Sequence, residues 1–427
     1  MSYFVKGGFL FSKEIYAIMT QRICDGLYPP GHRLPPVRQV AQEFGCNKLT
    51  VHKAYEQLKR DGLLYTIVGR GSFVSKELFL PQKTRGFFQS AYLHHSFFPY
   101  EPFSEILQGL FRQSRAFSLQ QPPLPGDPAL IDVLSRLYRL PSERLLIVSG
   151  AQQGLDITRT VLDIRAPSRI LFEDPSYPGA AALFMPGSFV PMGASGPDPG
   201  LVKARAALQG VRLFYTIPAV HNPTGFSYSL EIKQKICRLA SDLDFYLIED
   251  DSLSEYFPSE SPRFLDLLPQ RTFFIKSLAK STVSGIRLGM LVPPAPFFSS
   301  IITAKYLTDI STSGLLQHAM SRFFQEGFFA PFKEHILTIH SARKNTLLNE
   351  ISSQTGLAVS GGDKGFWLWV KRIRESADAP YLWTEGRTFS PTPEYRSYFR
   401  LAYMDMDDQA FAEGLSLLQS DSQSLSR

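Results

Sequence analysis

Five short segments of this sequence hold side chains suited to chemistry, and each lies beside an apolar run. SGAQQGLD (149–156) opens a helical stretch, so the free backbone N–H groups at its start suit an anion such as a phosphate. Small residues in loops are common, and this segment alone says no more. DPSYPGA (174–180) sets Tyr177 on a stiff turn between prolines, suited to face-on contact with an aromatic ring, although a packed loop tyrosine is the simpler reading in isolation. HNPTG (221–225) presents Asn222, an amide able to donate to a phenolate oxygen. LIEDDS (247–252) ends an apolar run with acids, where a carboxylate can meet a buried cation. SLAKSTVSGIR (277–287) carries Lys280 and, seven residues on, Arg287, with Lys276 as a competing amine four residues earlier.

Such loops need strands to present them. RLLIV, RILFE, VRLFYTI, FYLIED, TFFIKSL and RLGMLV are short apolar runs of buried-strand type. Helical segments such as GLDITRTVLDI and EIKQKICRLASDL alternate with them, which predicts an α/β body with a largely parallel sheet. Beyond about Leu315 come longer helices and two late strands, GFWLWV and YFRLAY, which predict a smaller α+β lobe. The expected body is residues 126–427, with a large lobe over about 126–314 and a small lobe over about 315–427; 77–125 reads as a linker and entry to it.

The N-terminal segment is different. Ile15, Ile18, Met19 and Ile23, then Val37, Val40, Ala41 and Phe44, then Val51, Ala54, Tyr55 and Leu58 all show helical apolar spacing. Gly45 supplies a turn between the second and third helices and Asn47 a good N-cap, which is helix-turn-helix spacing. LLYTIVGRGSFVS then reads as two strands around Gly69-Arg70-Gly71, a hairpin or wing. Residues 1–76 hold eleven Lys and Arg against five acids, so the whole chain's net +6 resides there and the rest sums to zero. A basic module on a neutral body points to a polyanion partner for the module.

Composition sets outer bounds. With 427 residues, two or three cores are expected. No charge-free apolar run reaches the roughly 18 to 20 residues that span a bilayer. The apolar patch near the N-terminus is interrupted by Lys13 and Glu14 before any signal-type core is complete. Three cysteines without CxxC pairing fit reduced thiols in a cytoplasm and give no zinc site or other metal site.

LPPVRQVAQEFGCNKLTVHKAYEQLKRDGLLYTIVGRGSFV resembles the GntR-type winged helix-turn-helix over about forty positions. The resemblance implies a double-stranded DNA partner, with the third helix in the major groove and the wing beside it. The implied contact residues are Arg38, Asn47, Lys48, Thr50, His52, Lys53 and Arg70. From about Ser149 to Tyr403 the chain resembles fold-type I pyridoxal-phosphate enzymes, and specifically the aminotransferase-like domain of MocR-type regulators. This resemblance implies pyridoxal 5'-phosphate as cofactor, with Lys280 forming the Schiff base and Asp250 pairing with the ring nitrogen. It further implies that Asn222 bonds the ring oxygen, that Tyr177 stacks on the ring, and that Ser277, Arg287 and the Ala151/Gln152 backbone bind the phosphate. Arg400 in FRLAY matches the arginine that grips a substrate carboxylate.

Three departures stand out. Ser252 replaces a ring-contacting tyrosine, Ala279 replaces a phosphate-contacting serine, and the segment between Gly126 and Ser149 is shortened. They trim the auxiliaries of the site and leave its essentials. The preferred expectation is therefore a regulator whose body binds the cofactor and senses an amino compound or a vitamin B6 form. A working aminotransferase with an accessory DNA arm, and a scaffold without cofactor, are the competing readings. The resemblance also implies a homodimer.

Overall fold

A computed structural model describes residues 11–24, 27–28, 31–60, 63–67, 70–75, 87–113, 119–164, 169–184, 187–354, 356–373 and 382–425. The N-terminal module comprises α1 (Ser12–Cys24), α2 (Val37–Glu43), α3 (Lys48–Arg60), β1 (Leu64–Ile67) and β2 (Gly71–Val74). Ile15, Met19, Val40, Val51, Ala54, Leu58 and Val74 close its core. The α1 stripe is turned from the expected one: Ile18 is only half-buried, whereas Tyr16 and Thr20 are buried. At 100° per residue, positions 15, 16, 19, 20 and 23 share one arc, and position 18 falls outside it. The Arg396 guanidinium, from the body, lies 4.5 Å over the Tyr16 ring.

Gly45 sits at φ +60° with open space around it, so the backbone turn itself is what requires glycine there. The Asn47 side chain accepts from Leu49 N at 2.9 Å and caps α3, and Tyr55 donates to Pro35 O at 2.8 Å, pinning α3 to the entry of α2. Strands β1 and β2 pair antiparallel from Leu64↔Val74 to Ile67↔Gly71, with Arg70 in the turn. Gly69, expected at the hairpin apex, and the linker stretch 76–86 lie outside the described residues.

The body continues with α4 (Tyr100–Gln113), α5 (Pro128–Tyr138), β3 (Leu146–Val148), α6 (Ala151–Val161), β4 (Ile170–Asp174), α7 (Pro178–Phe184), β5 (Ser188–Gly193) and β6 (Gly196–Pro197). Next come α8 (Pro199–Gln209), β7 (Leu213–Thr216), α9 (Leu230–Asp242), β8 (Tyr246–Asp251), α10 (Phe264–Leu267), β9 (Thr272–Ser277) and β10 (Gly289–Val292). These strands form a mixed eight-stranded sheet in the order β3-β10-β9-β8-β7-β4-β5-β6. The central pairings from β5 to β9 are parallel; β10, β3 and β6 join antiparallel. Each expected large-lobe strand is present, and fully buried runs such as Leu146–Val148 and Leu213–Thr216 explain why they read as continuously apolar.

The parallel strands β4, β7, β8 and β9 bring their carboxyl ends to one edge, where open α/β sheets place ligands. Glu173, Asp250 and Ser277 lie at those ends, with Asn222 and Lys280 in the loops just beyond.

Helices α11 (Phe298–Asp309), α12 (Gly314–Gln325) and α13 (Phe329–Ser353) lead into β11 (Leu357–Val359), β12 (Trp367–Arg372), β13 (Thr384–Glu385), β14 (Tyr398–Ala402) and α14 (Asp408–Leu425). The four strands form an antiparallel sheet in the order β11-β12-β14-β13.

The stretch read as linker is woven into this body from residue 87 onward. Phe88 N donates to Leu382 O at 2.7 Å, Ala402 N donates to Phe88 O at 2.9 Å, and His94 N donates to Met404 O at 2.8 Å. In α4, Phe103, Ile106 and Leu110 are buried, with Phe103 edge-on to Phe323 of α12. Their spacing of i, i+3 and i+7 is helical, but surrounding prolines and aromatics hide it in the sequence.

Candidate cofactor pocket and DNA-reading face

The site begins with two lysines four residues apart. Lys276, on β9, is fully buried, and its ammonium donates to Glu255 at 2.6 Å and lies 3.3 Å from Asp251. Lys280 follows the strand in a turn closed by Ser281 N and the Thr282 hydroxyl, both donating to Leu278 O. Its ammonium lies 4.9 Å over the Tyr177 ring and lines a cavity of about 730 Å³. Only Lys280 is open to a reactant.

Beneath this amine, Asp250 is buried at the end of β8 and accepts from the Tyr215 hydroxyl at 2.6 Å. Burial pushes its carboxyl above the usual range, while the Lys280 charge and the Tyr215 bond oppose the shift. A cation placed against it would favour the ionised form.

Asn222 and Arg400 meet on another wall. Arg400 is buried on β14; Nη1 donates to Asn222 Oδ1 at 2.7 Å and Nη2 to the Gln89 carbonyl at 2.5 Å. A guanidinium only donates, so the Asn222 oxygen faces Arg400 and its NH2 is turned elsewhere. Arg400 Nε is buried without a hydrogen-bond partner, and burial lowers the guanidinium pKa to about 10. An orphaned donor on a buried cation suits an arriving carboxylate.

The third group gathers a guanidinium and backbone N–H donors. Gly150, at φ +83°, precedes α6, and a Cβ there would meet the Arg287 guanidinium at 3.1 Å. Gly289 pairs with Ser277, and a Cβ on it would meet the Gly150 backbone at 2.9 Å. Ser277, Arg287 and the first turn of α6, with Ala151 and Gln152, are thus brought together. The Gln152 amide donates to Gly179 O at 2.9 Å and ties this turn to the Tyr177 loop. Ser252 and Ala279 are both buried; Ser252 supplies no phenol and Ala279 no hydroxyl.

Several contributors escape sequence reasoning. Tyr215 stands in an apolar strand run, where its hydroxyl gives no signal. Gln89 acts through a backbone carbonyl, which no side chain announces. Glu173 directly precedes the Tyr177 motif and His221 opens the Asn222 motif, and each was legible only as a neighbour.

On the N-terminal module, Arg38, Asn47, Lys48, His52, Lys53 and Arg70 are exposed and Thr50 is half-buried. Lys48, His52 and Lys53 lie off the buried Val51/Ala54/Tyr55/Leu58 stripe of α3, at its N-terminal end. Among the described residues no cluster of His, Cys, Asp and Glu could hold a metal ion, and no helix is long and apolar enough to cross a membrane.

Comparison with known proteins decides the family. Residues 11–74 match the bacterial regulatory proteins of the gntR family, and residues 112–416 match aminotransferase class I and II. The chain belongs to the aminotransferase class I and II family, fused to a GntR-type DNA-binding domain: the MocR-type arrangement. The HTH-type transcriptional regulator TauR of Rhodobacter capsulatus is 26% identical, with 93% of this chain and 94% of that protein covered. The probable rhizopine catabolism regulatory protein MocR of Rhizobium meliloti is 22% identical, covering 96% and 93%. Among solved structures, the α-aminoadipate aminotransferase LysN of Thermus thermophilus, complexed with N-(5'-phosphopyridoxyl)-L-leucine, superposes with a TM-score of 0.70 at 22% identity, covering 79% of this chain and 92% of that one. This MocR-type chain is a DNA-binding regulator with an aminotransferase-like body from a pyridoxal-phosphate-dependent family.

Proposed function

We infer that the body holds pyridoxal phosphate on Lys280 and senses an amino compound, or the vitamin B6 form itself, to set the DNA affinity of the N-terminal module. The observation that carries this reading is the convergence of Lys280, Asp250, Tyr177, Asn222 and Arg400 at one sheet edge, with the anion cradle beside them. The donor set fits the cofactor. Lys280 offers the amine, Asp250 a buried acid for the ring nitrogen, and the Asn222 NH2 a donor for the ring oxygen. Tyr177 supplies an aromatic face, while Ser277, Arg287 and the Ala151/Gln152 backbone take the phosphate. When bound, the cofactor supplies an electrophilic carbon and an electron sink for an amine.

Arg400 connects the pocket to the DNA module. A carboxylate that takes the orphaned Nε together with Nη2 competes with the Gln89 carbonyl. Gln89 follows the module's linker in the sequence, and we propose that displacing it changes how the DNA reader is held relative to the body. We further infer a homodimer in the cytoplasm, its paired modules reading two half-sites.

An aminotransferase function is the second reading, favoured by the open Lys280 and by the 24%-identical 2-aminoadipate transaminase of Thermus thermophilus. Ser252 and Ala279 weigh against efficient turnover. Borohydride reduction followed by peptide mass spectrometry tests the cofactor assignment: label is expected on Lys280. Label on Lys276, or none after incubation with excess cofactor, would refute it.

A further inference from the structure

Glu173 is fully buried at the end of β4, four residues before Tyr177, and is the hub of a polar cluster that touches no ligand group directly. Its Oε1 accepts from the Thr216 hydroxyl at 2.7 Å, the Tyr228 hydroxyl at 2.5 Å and Ile217 N at 3.0 Å. Its Oε2 accepts from Ile217 N at 3.1 Å and lies 3.1 Å from His221 Nε2. The His221 ring is fully buried too, and its Nδ1 pairs with the Thr224 hydroxyl at 2.9 Å. Thr224 N also points to Nδ1, at 3.5 Å, which makes Nδ1 the acceptor and leaves the proton on Nε2, facing Glu173. That N–H is aimed off the line to the carboxylate, so the contact is a bent, mainly electrostatic one.

These bonds clamp one loop. Ile217, His221, Thr224 and Tyr228 span the turn that carries Asn222, and all of them are tied, directly or through the His221 ring, to one carboxylate on the neighbouring strand. The backbone of His221 closes the same turn, donating to Phe226 O at 2.8 Å and accepting from Gly225 N at 2.6 Å. A polar cluster of this size, removed from water, is a specific positioning device when satisfied and a large liability when not.

We propose that Glu173 and His221 are positioning residues that aim the Asn222 amide at the ring oxygen of the bound cofactor, by locking the 217–228 loop to β4. The inference rests on the pocket holding pyridoxal phosphate. Glu173 also stands four residues before Tyr177, at the end of the strand that leads into that loop.

The test follows the visible absorbance of the cofactor bound to the full-length protein as pH is varied, for wild type, Glu173→Gln, His221→Gln, Asn222→Ala and the Glu173→Gln/Asn222→Ala double variant. A hydrogen bond donated to the ring oxygen makes that oxygen less basic, so losing its aim raises the pH midpoint of the band. A rise of roughly 0.5 to 1 unit is expected, the size of one misdirected hydrogen bond. It should be shared by Glu173→Gln, His221→Gln and Asn222→Ala, with no further rise in the double variant. Thr272→Val is the control: its buried hydroxyl donates to Phe264 O and Leu268 O, away from the Asn222 loop, so its loss should lower thermal stability and keep the midpoint. Unchanged midpoints in both Glu173→Gln and His221→Gln, or a rise in the double variant equal to the sum of the two singles, would overturn the proposal while leaving the cofactor site standing. A wild-type protein with no absorbing cofactor would instead bring down the underlying reading, and this inference with it.

Discussion

Arg400 and Gln89 meet inside the pocket, where the guanidinium Nη2 donates to the Gln89 carbonyl at 2.5 Å while Nη1 holds the Asn222 side chain. Gln89 stands fifteen residues beyond Val74, the last residue of the wing. The guanidinium we propose as an effector's anchor is thus bonded to a residue that follows the DNA reader's linker in the sequence.

Arg400→Ala should weaken binding of a carboxylate-bearing effector by about 2 to 3 kcal/mol, roughly 30- to 150-fold, because it removes charge-assisted donors. Arg400→Lys should recover only part of this, since an ammonium cannot offer the planar fork. Titration of cofactor absorbance with a panel of amino acids measures both. Equal affinities for wild type and Arg400→Ala would show that the carboxylate is held elsewhere.

On the DNA-reading face, Lys48→Ala and Arg38→Ala should each weaken operator binding. A bidentate base contact predicts a loss of about 1 to 3 kcal/mol at the cognate site. A phosphate contact predicts instead a salt slope lower by roughly one. Gel-shift or fluorescence titrations at several salt concentrations separate the two, and operator affinity that survives deletion of residues 1–76 would contradict the assignment.

The two lysines should part company on stability. Lys276→Met leaves Asp251 and Glu255 buried beside each other without their cation, and loss of one partner of a buried pair costs about 3 to 5 kcal/mol. Lys280→Ala should hardly change the unfolding midpoint of the cofactor-free protein, because the side chain borders the cavity. Denaturant melts of the cofactor-free variants compare them, and equal losses would mean that Lys280 is as structural as Lys276.

His340 supplies a pH dependence. Burial, with a smaller push from Lys344, lowers its imidazole pKa to about 4, while the ring lies flat against Tyr403 and its Nδ1 pairs with the Tyr403 hydroxyl at 3.1 Å. The unfolded chain binds this proton near pH 6.5 and the folded chain does not. The stabilisation is therefore complete above about pH 6.5 and is lost as pH falls towards 4, a change on the order of 3 kcal/mol. His340→Gln should flatten that part of the stability profile, and an unchanged acid limb would exclude the residue as its source.

Much of this molecule could be read from its letters, for physical reasons. Fully buried strands read as apolar runs, and a charge-segregated module with helix-turn-helix spacing keeps its signature in few residues. Lys280, Asp250, Asn222 and Arg287 stood out as candidates because their motifs follow one another in a fixed order, and the fold brings them towards one sheet edge. The orientation of α1 was misjudged at Ile18, since the apolar pattern alone does not show that Tyr16 and Thr20 also turn inward. The entry segment hid in the sequence because Phe88 acts through its backbone and is stabilised by the distant Leu382 and Ala402. Tyr215, Glu173 and His221 were missed as a set because their partners come together only across neighbouring strands.

The most direct test of the account is operator affinity measured for wild type and Lys280→Ala, with and without pyridoxal phosphate, across a panel of amino acids and amines. The account predicts that cofactor, alone or with one amine, shifts wild-type affinity by roughly 5- to 150-fold, the range of ordinary allosteric coupling, and that Lys280→Ala removes the shift. Steady transaminase turnover, with DNA affinity indifferent to every ligand and to Lys280, would contradict it.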